Sequence, residues 1–328
     1  MNKTIEKGAP DFLTGIRTGI VKGWKGWIWL LKILIPVSFA TALFVHSGWI
    51  YRLDFLLAPV MDWLSLPASA AIVLIIGIFT GIYGTVAALS VMNFSMDHMI
   101  LIAVFTLISH NLIQESLVQG KSGINPFFAA MFRLFMAFGV TFICAKISGM
   151  SNEAKGLVIN GITDSSTTSL ENMVKTWATG TLRLCVQIIC IIVPLMAVLE
   201  LVKQYRIIDV VTRLTSPVIS VMGLSRSTGM LWLTASIFGL AYGSAVIVEE
   251  TSEKEYKKSE LTKLHLSIGV NHAMIEDPAL FLPLGLPPFW LWVPRIAAAI
   301  SAAWLYRVFS LARSCYDKRV VHKKIRNH

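Results

Sequence analysis

The stretch HNLIQES, His110–Ser116, returns as HAMIEDP at His272–Pro278, and each copy is followed by a proline-aromatic pair and then an arginine. His110 to His272, Pro126 to Pro288 and Arg133 to Arg295 are each 162 residues apart. Upstream, Pro36 pairs with Pro194 and Pro59 with Pro217 at a spacing of 158, and Tyr83-Gly84 pairs with Tyr242-Gly243 at 159. Landmarks kept in one order, with spacings drifting only from 158 to 162, describe a duplicated apolar unit. A duplicated membrane unit is the mark of many transporters, whose site lies between the repeats near the bilayer midplane.

Composition supports a chain that lives in lipid. Hydrophobic residues make up 55% and charged residues 15%, against about 25% charged in an average soluble chain. Apolar runs extend over Trp27–Val45, Ala68–Met92, Met99–Val118, Phe127–Ala145, Leu182–Leu199, Gly229–Val248, Leu261–Ile275 and Phe289–Phe309. Most approach the roughly 20 residues that span hydrocarbon; Leu261–Ile275, with Lys263 and His265 inside it, is the weakest. The fold class read from this is all-α: a polytopic integral membrane protein of two tandem homologous repeats, inverted relative to each other, with glycine-broken or re-entrant segments; a parallel arrangement of four plus four crossings is the alternative. The expected location is the plasma (inner) membrane.

The net charge of +10 gathers at the ends, with seven Lys/Arg against one Asp from Arg307 to His328. Basic flanks stay in the cytoplasm, which places both termini there and makes the number of crossings even. A nucleic-acid-binding tail is the weaker reading of that run. The N-terminus is basic and Gly-rich and lacks the short apolar core and small-residue cleavage site of a signal peptide. The four cysteines form no CxxC, so neither a disulfide framework nor a thiolate metal site is expected.

Five regions follow. Residues 1–26 form a basic amphipathic segment lying on the inner leaflet, 27–148 the first membrane repeat, 149–181 a polar linker, 182–309 the second repeat and 310–328 a basic cytoplasmic tail. Each repeat opens with a proline-bearing span and continues with an amphipathic stretch, Trp49–Leu66 or Lys203–Leu224. Next come the glycine-interrupted segments GIFTGIYGT (Gly77–Thr85) and SIFGLAYGS (Ser236–Ser244), the histidine segment and an arginine-bearing span. The first amphipathic stretch carries Arg52 against Asp54 and Asp62; Glu200–Arg226 carries four basic residues against two acidic ones. Opposite bias in equivalent loops is expected of opposite orientations.

Three sets of paired polar residues bear the chemistry. His110, Asn111 and Glu115 answer to Asn271, His272, Glu276 and Asp277; at helical spacing His272 and Glu276 share one face, as do His110 and Gln114. Ionisable groups at membrane depth are costly, so they face a cavity, pair, or bind something; at helix ends beside water they would be ordinary. Arg133 and Arg295 snorkel to headgroups, hold Glu115 or Asp277 as structural ion pairs, or bind an anionic group. Gly81, Gly84 and Thr85, with Gly239, Gly243 and Ser244, either pack helices closely or break them so that backbone groups face a cavity. Glu249-Glu250 and the TSEKEYKKSE run read as a solvated loop.

The twice-occurring amphipathic stretch, ending in Ser65-Leu66-Pro67 or Gly223-Leu224-Ser225 and followed by a glycine-broken apolar segment, resembles the nucleoside-recognition, or Gate-domain, membrane family. That family takes in the spore maturation proteins and the gate regions of ferrous-iron permeases, and is related to concentrative nucleoside transporters. The resemblance is clearest over Trp27–Phe94 and Leu182–Glu250 and implies an inverted-repeat, transporter-like fold. The broken segments lack the cysteine motif of an iron permease.

The expected function is a permease for a small hydrophilic solute or cation, nucleoside-like molecule or divalent metal, working by alternating access. The alternative is a non-transporting assembly protein of the spore-maturation type. No enzyme is expected, since neither HExxH nor GxSxG occurs. Imidazole with carboxylate suits a divalent cation at His110, Glu115, His272 and Glu276, or a coupling proton or sodium ion. The expected partners are the lipid bilayer and the solute, without nucleic acid; homo-oligomerisation stays open.

Overall fold

The computed structural model describes residues 12–47, 54–149, 169–205, 210, 215–253 and 255–326, and every regular element among them is helical. In order these are α1 (Phe12–His46), α2 (Asp54–Trp63), α3 (Ala70–Thr80), α4 (Ile82–Leu89), α5 (Met96–Ser109), α6 (Leu112–Lys121) and α7 (Pro126–Ile147). Then follow α8 (Leu170–Gln204), α9 (Ser216–Val221), α10 (Arg226–Phe238), α11 (Leu240–Glu253), α12 (Lys258–Val270), α13 (Glu276–Ala279), a 3₁₀ turn at Leu282–Leu284 and α14 (Pro288–Arg326). Arg52, Arg206, Asp209 and Arg213, on which the charge comparison of the amphipathic stretches rests, lie outside the described residues.

Among the described residues, five helical stretches are long and apolar enough to cross a bilayer: Phe12–His46, Met96–Lys121, Pro126–Ile147, Leu170–Val202 and Pro288–Ser310. The Met96–Lys121 stretch, which contains α5 and α6, is the most enclosed, with 72% of its apolar window buried against 33% for α7. The outer helices turn large apolar side chains outward, among them Phe79, Phe135, Ile143, Val198 and Val308. Such a surface suits lipid and not water. The chain is therefore an all-helical, polytopic membrane protein.

The expected boundaries shift in three places. From Phe12 onward the N-terminal segment is not a separate surface helix but the start of α1, a single helix of 35 residues. The linker ends sooner than expected, because Leu170–Thr181 already belong to α8. Glu249–Glu253 complete α11 instead of forming a loop, and the helical backbone of α14 runs on through the basic tail to Arg326.

What joins α1 to α8 is a stripe of glycines at Gly15, Gly19 and Gly23, all buried. A Cβ on Gly19 would collide with the Ala197 backbone, and one on Gly23 would come 2.9 Å from the Val193 Cα. Glycines four apart on one helix face let backbones approach this closely. The contacts run in reverse order along the two helices: Gly15 with Gln204, Gly19 with Ala197, Gly23 with Val193. Farther along, the Trp27 indole donates to the Cys185 carbonyl at 3.0 Å and the Trp177 indole to the Ser38 hydroxyl at 3.1 Å. The two helices are antiparallel, and the Trp27–Cys185 contact joins positions 158 residues apart, the spacing of Pro36 and Pro194.

The glycine-interrupted segments are helical hairpins. In an unbroken helix, residues eight apart stand about 12 Å from each other. Yet a Cβ on Gly77 would run into the Thr85 side chain, and one on Gly243 into Ala235. The turn between α3 and α4 is made at Gly81 (φ 82, ψ −170), and that between α10 and α11 at Gly239 (φ 85, ψ 169), backbone conformations open essentially to glycine alone. These equivalent turns are 158 residues apart, so Gly243 takes the place of Thr85, one residue off the 159 spacing of the Tyr-Gly pairs. With arms of 11 and 8 residues, the first hairpin reaches about 15 Å into the membrane and does not cross it.

Candidate functional site

The histidine segments are also broken, and both breaks are built alike. Ser109 ends α5, and Asn111 takes a left-handed conformation (φ 44) before α6 begins. Val270 ends α12, and Ala273, 162 residues after Asn111, takes φ 45. Each break docks on the neighbouring hairpin by a backbone bond: Asn111 N–H to the Gly77 carbonyl at 3.1 Å, Ala273 N–H to the Ala235 carbonyl at 3.3 Å. Gly77 and Ala235 are again 158 apart. An unwound backbone inside a membrane needs such partners, since water is not there to supply them.

Two buried arginines close the ends of the broken helices. The Arg133 guanidinium donates to the Ile108 carbonyl at 3.0 Å and the His110 carbonyl at 2.8 Å. Arg295 donates to the His272 carbonyl at 2.5 Å. The last carbonyls of a helix have no partner within it, and a cationic donor there also meets the negative end of the helix dipole. Both arginines are 1% exposed, so neither snorkels to headgroups.

The cluster itself sits between these ends. His110 Nε2 and His272 Nε2 face each other at 3.3 Å. His110 Nε2 lies 3.3 Å from Glu115 Oε1 and 3.3 Å from Asp277 Oδ2, while His272 Nε2 lies 3.1 Å from Glu115 Oε2. Arg133 pairs with Glu115 at 2.8 Å; the equivalent pair, Arg295 with Asp277, is looser at 3.9 Å. Each half thus contributes one imidazole, one carboxylate and one guanidinium, and every histidine–carboxylate contact except His110–Glu115 crosses between halves. Both imidazoles are at most 3% exposed, so the cluster is occluded.

The proton positions on the rings follow from their other nitrogens. His110 Nδ1 lies 3.0 Å from the Thr106 carbonyl, and His272 Nδ1 lies 3.0 Å from the Ile268 carbonyl. A carbonyl only accepts, so both Nδ1 atoms carry hydrogen. In the neutral rings both Nε2 atoms then present lone pairs toward each other and toward carboxylate oxygens. Arg133 and Arg295 approach the carboxylates from outside, but between the two Nε2 atoms and the carboxylate oxygens facing them neutral rings place no donor, and the lone pairs repel. The arrangement calls for a cation among them, whether a proton or a metal ion.

The remaining residues singled out in the sequence divide. Asn271 is fully buried; its carbonyl accepts from the Ser236 hydroxyl at 3.2 Å, its amide nitrogen approaches Met274 sulfur at 3.1 Å, and its Oδ1 has no hydrogen-bond partner among the described residues. Asn111 packs against Gly81, and Gly84 against Thr80. Thr85 Oγ1 donates to the Gly81 carbonyl at 3.4 Å, whereas the buried Ser244 hydroxyl has no partner among the described residues. Glu276 departs from expectation. Because residues 271–275 are not helical, His272 and Glu276 do not share a helix face. Glu276 instead accepts from the Tyr83 hydroxyl at 3.1 Å, and Asp277 takes the place in the histidine cluster that was assigned to it. The break at Asn111 separates His110 from Gln114 in the same way.

Sequence reading passed over a second bridge between halves. The Gln119 amide donates to the His265 carbonyl at 2.8 Å, and His265 Nε2 lies 2.9 Å from the Ser122 carbonyl. Both side chains are buried. Their polarity, close to the ends of apolar runs, reads as interfacial when each is taken alone. A separate cleft of about 330 Å³, lined by His46, Asn93, Asn172, Thr176 and Trp177 among others, opens at the end of α1 and start of α8 and includes no member of the cluster.

Comparison with known proteins gives one informative relationship. The chain is 27% identical over 296 residues to the uncharacterized membrane protein YvoD of Bacillus subtilis (strain 168), an alignment spanning 88% of this chain and 91% of the other. No family model matches the chain, and no solved structure matches it. By its helices and its apolar surface the chain is a membrane protein, similar over most of its length to YvoD.

Proposed function

We propose that this protein is a carrier in the plasma membrane, of the Gate or nucleoside-recognition type, that moves a small hydrophilic solute or cation through the cluster around His110 and His272. The observation that carries this reading is the convergence of four helix breaks, at Gly81, Asn111, Gly239 and Ala273, on one occluded group of ionisable side chains drawn equally from both halves. A structural protein has no need of breaks at matched places, each of which costs about 1–3 kcal/mol in backbone strain where a side chain is present. Broken helices around a midplane site are what alternating access uses.

An inverted arrangement supports the same reading. The antiparallel pairing of α1 with α8 is what two oppositely oriented copies require. With the α3–α4 hairpin re-entrant, the first half has three candidate crossings, at Phe12–His46, Met96–Lys121 and Pro126–Ile147. An odd number is the condition for inversion; in the second half Leu170–Val202 and Pro288–Ser310 are the candidate crossings, and both basic termini share the cytoplasmic side if the broken α12 segment makes the third.

Uptake into proteoliposomes decides the matter. A panel of divalent cations and nucleosides is offered to the wild type and to the His110→Ala/His272→Ala protein. Flux of at least one substrate, abolished by the double substitution while the protein stays monodisperse, is the expected result. Flux equal in both proteins removes the cluster from the pathway, and no flux at all in either favours an assembly role.

A further inference from the structure

We infer that the cluster is a site for a borderline divalent transition metal of the zinc type, with Nε2 of His110, Nε2 of His272 and the carboxylate of Asp277 as three ligands of a tetrahedron. The inference rests on the carrier reading only for the ion's fate; the site itself stands on geometry.

Ligand atoms of His110, His272 and Asp277 all lie within 4.8 Å of one another. Tetrahedral zinc holds nitrogen and oxygen at about 2.0–2.2 Å, and the edge of a tetrahedron is about 1.63 times that radius, so its ligands stand about 3.3–3.6 Å apart. The cluster has His110 to His272 at 3.3 Å and His110 to Asp277 at 3.3 Å. Glu115 stands beside this set and bridges the imidazoles, its Oε1 3.3 Å from His110 Nε2 and its Oε2 3.1 Å from His272 Nε2. Lone pairs that point at one another at such distances need a proton or a metal ion between them, and the spacing of the His110, His272 and Asp277 ligand atoms leaves room for a metal ion.

Ligand chemistry narrows the ion. Two imidazoles exclude magnesium and calcium, which take oxygen ligands, and the absence of thiolate argues against the softest ions. The outer contacts are those of a metal site as well. Each Nδ1–H is fixed on a backbone carbonyl, which locks the ring and directs the Nε2 lone pair inward. Arg133 holds Glu115 and, more loosely, Arg295 approaches Asp277. With the carboxylates already neutralised, a divalent ion arrives with both its charges uncompensated. That weakens retention, which suits an ion that must leave again and not one held for life.

The test is zinc binding by the purified, tag-free, chelator-stripped protein in detergent, measured by equilibrium dialysis, with cobalt(II) as optical reporter. The expected result is a single, exchangeable ion per chain, intense visible bands of tetrahedral cobalt, and no competition from magnesium. His110→Ala and His272→Ala should each weaken binding on the order of tenfold or more, and Glu276→Gln should leave it unchanged. If the alanine proteins do not fold, Asp277→Asn, which keeps the side-chain shape, carries the comparison. Failure of the wild type to bind zinc, weak octahedral cobalt bands, or binding indifferent to all three ligand substitutions overturns the inference. The outcome is separable from the carrier reading: zinc bound without flux keeps the site and discards the carrier, and nucleoside flux without zinc binding does the reverse.

Discussion

Replacing Gly81 with alanine isolates what the first hairpin turn demands. At φ 82 and ψ −170, an alanine is strained by about 1–3 kcal/mol. Its Cβ would also stand 2.6 Å from Asn111 Nδ2 and 2.9 Å from Cγ and Oδ1. Asn111 cannot swing away freely, because its backbone is held at φ 44 and its N–H is bonded to Gly77. Overpacking of this kind adds about 1–3 kcal/mol. Gly239 supplies the internal control. It has the same backbone conformation, but its Cβ would meet only Ala273 Cβ, at an ordinary 3.6 Å. Gly239→Ala should therefore show the strain alone, and Gly81→Ala about twice the loss. Asn111→Ala installs in the first half the residue that the second half already has at that place. In the double protein Gly81→Ala/Asn111→Ala, the excess should disappear, once the cost of Asn111→Ala by itself is subtracted. Unfolding by SDS in mixed micelles, followed by tryptophan fluorescence, measures all four. Equal losses at Gly81 and Gly239, with no coupling to Asn111, would refute the hairpin turn as described.

The arginines, the seam and the topology can be tested similarly. Arg133→Gln leaves Glu115 buried without its partner and should cost about 3–5 kcal/mol, part of it recovered by adding Glu115→Gln; a double protein no better than the sum of the singles would show that the ion pair does not form. Tyr83→Phe removes the donor to Glu276 and should lower stability by about 1–3 kcal/mol in the same assay, and no change would mean the bond is not made. Gly19→Leu should prevent α1 from seating on α8 and reduce the yield of monodisperse protein, whereas Gly26→Ala, with nothing within 4 Å of its Cβ, should be neutral. Single cysteines at Tyr51 and Tyr205, in a background without native cysteines, should react with an impermeant reagent from opposite sides of the membrane; labelling of both from one side would sink the inverted arrangement.

The duplication was legible because it is written in residues that membranes seldom tolerate. His110 and His272, Arg133 and Arg295, and Glu115 and Asp277 are costly at depth, so a common spacing of 162 pointed to groups that the structure brings together. The glycine breaks could be seen in outline, since Gly81 and Gly239 stand among apolar residues at matching places. The path of the chain through the histidine segments could not. Periodicity assumes that a helix continues, and it put His272 and Glu276 on one face. The break is set by bonds to a distant hairpin, Ala273 to Ala235, and an alanine gives no sign of a left-handed backbone. The stripe at Gly15, Gly19 and Gly23 shows in composition only as a Gly-rich segment. Taken one by one, glycines weaken a helix; at intervals of four they describe a face, and that face is what α8 covers. Among the described side chains, Cys144 and Cys185 are buried and Cys190 faces outward.

The distribution of charge within the cluster bears on how the protein is made. Glu115 and Arg133 are 18 residues apart, as are Asp277 and Arg295, so each carboxylate meets its guanidinium inside its own half. Synthesis at about 5–20 residues per second puts roughly 10–30 seconds between the appearance of His110 and that of His272. During that interval the first half must rest in the membrane without the second. It can do so because its buried ion pair is already complete and neutral. Only the bonds that span the halves, from imidazole to the opposite carboxylate and from Gln119 to His265, wait for the later copy. Insertion and site assembly are thereby separated in time: each half becomes tolerable to lipid alone, and the site comes into being only when both are present.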